Sequence, residues 1–198
     1  VGNTDQLGLD ALGLEANNRG LLSVNDDFQT ALPHVYAVGD VVGFPALAAT
    51  AMHQGRLAAA HAFLQGTDSR DEHNPHAPTA PLPYGIYTIP EVSTVGASEE
   101  TLTKERVPYE IGHAFYRETV RAQIMGDTEG ILKLVFHRES LQLLGVHIIG
   151  ERAAELIHLG QAIIAYGGTI EYFVDNVVNY PTLSEAYKVA ALNGLNRL

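Results

Sequence analysis

A carboxylate at the end of a short extended run is the first arrangement in this sequence that could bind a ligand. The β-rich residues 35–38 end in Gly39-Asp40, and an alanine-rich stretch of helical character, 46–64, follows soon afterwards. A strand ending this way sets one carboxylate at the carboxyl edge of a sheet, where α/β folds bind ligands. Gly39 has no Cβ, so the chain can turn sharply or a ligand can come close. Asp40, an acceptor only, suits the hydroxyls of a sugar or polyol. An ordinary strand exit with Asp40 in water accounts for the same residues, and the chemistry alone leaves the two readings level.

Three other groupings carry less. Glu155-x-x-His158 has the i, i+3 spacing of one half of a di-iron ligand set, but such a site needs a second copy and two further carboxylates, so a structural role is preferred. His73 and His76 with Asp71 and Glu72 nearby are weak evidence for a metal. Thr182-x-x-Glu185 has the form of a capping box for a terminal helix over 183–194, which accounts for Glu185 without catalysis.

The elements that must position these residues fall into two patterns. The turn 17–20 leads into a short strand, 20–24, and Asn25-Asp26-Asp27 closes it. The helix from about 46 to 65 is rich in small residues, which allow close approach, and Gly66 stops it. Within it His53, Arg56 and His61 read as packed or solvated residues. A charged, proline-rich run over 67–83 has no hydrophobic period and reads as a linker.

Beyond it the pattern is a meander: strands 84–89 and 91–96 split by Pro90, a short helix opened by Ser98 with two early acids, and an alternating strand 109–116 with Tyr109, Ile111, His113 and Phe115 on one face. A hairpin of 131–137 and 141–149 turns at Arg138-Glu139-Ser140. A helix over 151–166 carries the stripe Leu156, Ile157, Gly160, Ile163 and Ile164, ended by Gly167-Gly168.

Composition excludes several classes. With 198 residues and 46% hydrophobic content the chain can build one large or two small cores. A net charge of −11 and a pI near 5.1 argue against a nucleic-acid or anionic-membrane surface. No apolar run approaches the roughly 20 residues needed to span a bilayer, and the first residues lack the order of a signal peptide, so a cytoplasmic location is expected. With no cysteine, these residues hold no disulfide, thiolate nucleophile or cysteine metal site.

The run Thr30-x-x-Pro33-x-Val35-Tyr36-Ala37-x-Gly39-Asp40 resembles the second flavin motif of the pyridine nucleotide-disulfide oxidoreductases, flavoproteins with two dinucleotide-binding domains. The resemblance implies that Asp40, with Gly39, holds the ribityl chain of FAD. It also implies that residues 41–48 lead into a helix whose first amides face the isoalloxazine ring, Ala48 contacting FAD through its backbone. A free helix N-terminus suits that electron-rich edge. The Leu-Gly-Leu segment near the start is similar to the connection that follows the family's NAD(P) domain. No Gly-x-Gly-x-x-Gly loop for the pyrophosphates occurs in the sequence, and the expectation is a C-terminal portion of a longer chain.

Asn179-Tyr180-Pro181-Thr182 through Glu185 is similar to the family's His-Pro-Thr-x-x-Glu motif, in which the histidine is an acid/base held by the glutamate and reaches the partner subunit's redox disulfide. Tyr180 stands at the histidine position and Glu185 at the glutamate position. A phenol of ordinary pKa near 10 does not replace imidazole at neutral pH, so no residue here is a secure catalytic acid or base.

Within the family, residues 150–155, 169–173 and 179–182 and the C-terminal run most resemble the soluble pyridine nucleotide transhydrogenases. The resemblance implies an α+β architecture: the last part of an FAD-binding α/β domain (1–66), the linker (67–83) and a dimerisation domain with an antiparallel sheet and helices (84–198). It implies a homodimer using FAD, NAD(H) and NADP(H) to move hydride from NADPH to NAD+ through flavin. A dihydrolipoamide dehydrogenase-like flavoprotein and a non-catalytic dimerisation module are the competing readings.

Overall fold

The computed structural model describes residues 1–64, of Leu64 the backbone only, and residues 81–198. Gly66, most of the expected linker and the group Asp71, Glu72, His73 and His76 lie outside the described residues. The chain divides into two compact units, Val1–Ala77 and Pro78–Leu198.

In the first unit, hydrogen bonds from side chain to backbone do much of the work of a sheet. Asn17 Oδ1 accepts from the amides of Arg19 and Leu21 at 2.8 and 3.0 Å, and Asn25 Oδ1 accepts from those of Asp27 and Gln29. These Asx turns fold the chain back on itself. The expected strands at 20–24 and 35–38 are extended segments that form no ladder. Each is tied by an isolated bridge, Ala16 with Leu22 and Gln29 with Tyr36. Regular pairing needs a continuous neighbouring edge, and among the described residues these segments have none. After a 3-10 turn, Gly39–Val42, comes helix α1 (Ala48–Leu64), whose first bond runs from the Ala51 amide to Leu47 O at 2.9 Å.

The second unit is a five-stranded antiparallel sheet covered by helices, as the alternating pattern predicts. Strand β1 (Tyr84–Ile86) is shorter than expected and pairs with β2 (Val92–Gly96). Ser98 caps α2 (Glu99–Glu105), its hydroxyl accepting from the Thr101 amide at 3.1 Å. β3 (Tyr109–Phe115) follows, then a 3-10 turn and a short helix absent from the sequence expectations, α3 (Val120–Met125), capped by Thr119. The hairpin β4 (Gly130–His137) and β5 (Leu143–Gly150) forms the centre, and the strand order is β1-β2-β5-β4-β3.

Leu132, Leu134 and Phe136 recur at every second position and so share one face. All three are buried with Val146 and Ile148 of β5. Over the sheet lie α4 (Ala153–Ala165), against β2 and β5, and α6 (Glu185–Leu195), against β3 and β4, with the short α5 (Glu171–Asp175) beside α6. On β3 the expected face of Tyr109, Ile111, His113 and Phe115 is only half-buried, while Gly112 and Ala114 on the other face are buried.

Gly112 explains how α6 packs. A Cβ there would lie 2.8 Å from the amide nitrogen of Gly194, and nearer still to Ala190 O, so helix and strand touch backbone to backbone. Where α4 passes β5, the buried hydroxyl of Tyr187 donates to Leu156 O at 2.8 Å and accepts from the Gly160 amide at 3.2 Å, joining α6 to α4. Burial drives the Tyr187 phenol well above its ordinary pKa. No helix among the described residues is long and apolar enough to cross a membrane.

Candidate functional site

Asp40 lies in the first turn of the 3-10 segment Gly39–Val42 and is exposed. This corrects the expectation of a sheet strand running directly into it. Gly39 enters the turn at φ 77°, a conformation that favours glycine, and a Cβ there would come within 3.1 Å of the Ala51 Cβ. The turn therefore rests directly on α1. The Gly43 amide closes it onto Asp40 O at 3.1 Å, and the Leu22 amide donates to Val41 O at 2.9 Å.

One further residue fixes this turn, and the sequence reading passed over it. The Gly39 amide donates to Gln54 Oε1 at 2.7 Å, and Gln54 is buried. It has no distinct signal in the sequence, since Thr50, His53, Arg56 and His61 are also polar residues of this helix. Ala48 and Ala49, at the start of the same helix, are exposed, and first-turn amides have no acceptor within a helix. The first unit thus presents an exposed carboxylate acceptor on a glycine turn and free amide donors at a helix start.

The neighbouring titratable residues of α1 are held by other partners. His61 Nδ1 accepts from the Tyr36 hydroxyl at 2.8 Å, with Nε2 3.4 Å from Asp27 Oδ2. His53 Nδ1 accepts from the Arg56 guanidinium at 3.1 Å, and its Nε2 is buried without a partner among the described residues.

In the second unit Tyr180 is 67% exposed. The capping box expected at Thr182 and Glu185 does not form. The Thr182 hydroxyl donates to Asn179 O at 2.7 Å, so it tightens the preceding turn. Helix α6 begins at Glu185, two residues later than predicted, behind Ser184 in helical geometry with no side-chain cap. Glu185 Oε2 is buried and has no partner among the described residues. Thr182 thus stands two positions before the N-cap, Ser184, outside the place a capping box requires.

Beginning at Pro181, the same loop lines a cleft of about 430 Å³ with α3 and the start of α4, where Arg121, Arg152, Glu155, Thr182 and Ser184 supply the polar groups. Arg121 had no sequence signal, and Arg152 entered the sequence reading only within the 150–155 resemblance. Arg152 precedes α4 in the left-handed region at φ 58°, and the first turn of that helix is capped instead by Glu91, whose Oε2 accepts from the Ala154 amide at 3.0 Å. Glu155 and His158 are exposed, His158 donating to Gln161 Oε1 at 3.0 Å. Among the described residues no group of three or more His, Asp or Glu residues could hold a metal ion.

Comparison with known proteins places both units. Residues 82–191 match the pyridine nucleotide-disulphide oxidoreductase dimerisation domain, and residues 1–55 match the pyridine nucleotide-disulphide oxidoreductase domain. The chain is 58% identical over its whole length to the soluble pyridine nucleotide transhydrogenase of Yersinia enterocolitica, and 57% identical to that of Yersinia pestis. It spans 42% of the length of these curated relatives.

Among solved structures it is similar to LpdA from Mycobacterium tuberculosis, with a TM-score of 0.81 at 26% identity over 97% of this chain and 40% of that one. The flavoprotein disulfide reductase RclA from Escherichia coli shares the fold, with a TM-score of 0.82 at 22% identity over 96% of this chain and 42% of that one. The chain belongs to the pyridine nucleotide-disulphide oxidoreductase family, and most of it is that family's dimerisation domain.

Proposed function

We propose that the chain is the C-terminal portion of an FAD-dependent NAD(P)+ transhydrogenase that moves hydride between NADPH and NAD+. The observation that carries this reading is the 58% identity, over the whole chain, to a protein named soluble pyridine nucleotide transhydrogenase. The local chemistry supports it. Asp40 is exposed on its glycine turn, an acceptor for the ribityl hydroxyls. The Ala48 end of α1 offers amides to a carbonyl edge.

These residues fit the middle and ring end of the flavin. Bound FAD supplies the two-electron chemistry, and the protein supplies orientation and electrostatics. Tyr180 stands where a dithiol enzyme needs imidazole, and the sequence has no cysteine, so nothing in these residues serves disulfide exchange.

Residues 1–66 serve the flavin, 67–83 link, and 84–198 form the interface of a homodimer in the cytoplasm. Tyr166 and Val177, 91% and 95% exposed, are the kind of apolar surface that a second copy covers. NADPH-dependent reduction of NAD+, assayed beside dihydrolipoamide oxidation on the protein as its gene encodes it, tests the activity. Oxidation of dihydrolipoamide with NAD+ as the acceptor, without NADPH-dependent reduction of NAD+, transfers the protein to the dehydrogenase reading. Absence of a flavin band leaves a dimerisation module. The 198-residue chain alone should show no turnover.

A further inference from the structure

We propose that Gln54 is the positioning residue of the flavin turn, locking the segment that carries Asp40 to the helix that offers its N-terminus to the same cofactor. The inference rests on the flavin reading above. Asp40 itself makes no side-chain hydrogen bond among the described residues, so the place of its carboxylate is set by the backbone of Gly39–Val42.

That backbone is fixed at its entrance by one bond, from the Gly39 amide to Gln54 Oε1 at 2.7 Å, inside the protein. Ala51 and Gln54 are three residues apart on α1 and so share a face. One supports Gly39 sterically, and the other holds its amide. Because Gln54 belongs to the helix that begins at Ala48, the same bond fixes the distance between the carboxylate and the first-turn amides. The two halves of the cofactor site are thereby held in register before any ligand arrives, and preorganisation of that kind raises affinity by removing an ordering cost from binding.

A neutral amide suits the task. It accepts the hydrogen bond at a buried position without adding a second negative charge near Asp40. A side chain of equal bulk without an acceptor would leave the Gly39 amide unpaired in the interior.

The test uses the protein as its gene encodes it, with FAD as the probe. Gln54→Met keeps the volume and removes the acceptor, and Gln54→Glu keeps an acceptor. Ala58→Gly weakens α1 at a buried position one helical turn beyond Gln54. FAD affinity is measured by flavin fluorescence, the Gly39 amide by hydrogen exchange in the flavin-free protein, and stability by melting.

Gln54→Met should bind FAD about ten-fold more weakly and exchange the Gly39 amide about ten-fold faster, the size expected for one buried hydrogen bond. Gln54→Glu, which keeps an acceptor but adds the charge, should hold Gly39 amide exchange within about three-fold of wild type, and Ala58→Gly should lower the melting temperature with FAD affinity within about three-fold. FAD binding by Gln54→Met within that margin, or an equal loss in Ala58→Gly, overturns the proposal. A wild-type protein that binds no FAD overturns the flavin reading itself, and this inference with it, whatever the exchange rates.

Discussion

Replacing Gly112 with alanine should destabilise the second unit by about 3 kcal/mol, the upper end of the usual range for adding atoms to a filled interior. The added Cβ would lie 2.8 Å from Gly194 N and 3.0 Å from the Ala190 carbonyl carbon. Carbon atoms pack best at about 3.5–4.0 Å and the Ala190 oxygen lies nearer still, so α6 must withdraw from β3 by at least roughly 0.5–1 Å. The obstructing atoms are backbone and cannot swing aside.

A gap of that width forfeits about a quarter to a half of each dispersion well along the seam, and Ala186, Tyr187, Ala190 and Ala191 are buried in it. At about 3–4 °C per kcal/mol for a domain of this size, the melting temperature should fall by roughly 10 °C. Far-UV circular dichroism gives the melt, and hydrogen exchange of the β4 amides assigns it to this unit. Gly55→Ala, on a helix with nothing within 4 Å of the new Cβ, is the control and should gain up to about 1 kcal/mol. A fall below about 3 °C with β4 protection intact would refute the claim that α6 and β3 meet backbone to backbone.

The two buried tyrosines should respond unequally to loss of the hydroxyl. In Tyr187→Phe the released Leu156 carbonyl and Gly160 amide are four residues apart in one helix and can bond to each other, so the cost is about 0.5–1 kcal/mol. Tyr116→Phe removes the donor that reaches Glu151 O at 2.9 Å and should cost about 1–3 kcal/mol. Urea midpoints in the reverse order contradict this account.

Thr182→Ala should cost under about 0.5 kcal/mol, whereas a true N-cap would cost about 1 kcal/mol, and the same titration separates the two. His147 gives the pH dependence. Burial, opposed by donation from Nε2 to Ala97 O, holds its pKa below the usual 6.5. The neutral ring is thus favoured by folding, so its contribution is fully present above about pH 6.5 and is lost as the pH falls below it. His147→Gln should flatten the loss of stability as the pH falls below about 6.5, and an unchanged slope rules the role out.

The second unit was legible in the sequence because its signals are local. Alternation over β3, β4 and β5, the Ser98 cap and the glycine end of α4 all come from neighbouring residues. What escaped was set by distant partners. The strands expected in the first unit have the composition of strands but no ladder to join, so propensity yields to the absence of a paired edge. The capping box at Thr182 fails because α6 starts at Glu185 behind Ser184, which leaves Thr182 two positions short of the cap. The Gly39-Asp40 signal is compact in sequence, while Gln54 matters only once α1 lies against the Gly39 turn, and within the second unit Arg121 and Arg152 matter only once α3 and the start of α4 line one cleft.

The carboxylate of Glu91 that completes the first turn of α4 has a kinetic consequence. Its partner amide, Ala154, lies 63 positions further along the chain. Nothing adjacent to Arg152 can finish that turn, so the start of α4 is settled only after β2 has found β5. Loop closure over that length precedes any return from the contact, which places the turn late in folding, after the central hairpin has already formed from residues close in sequence.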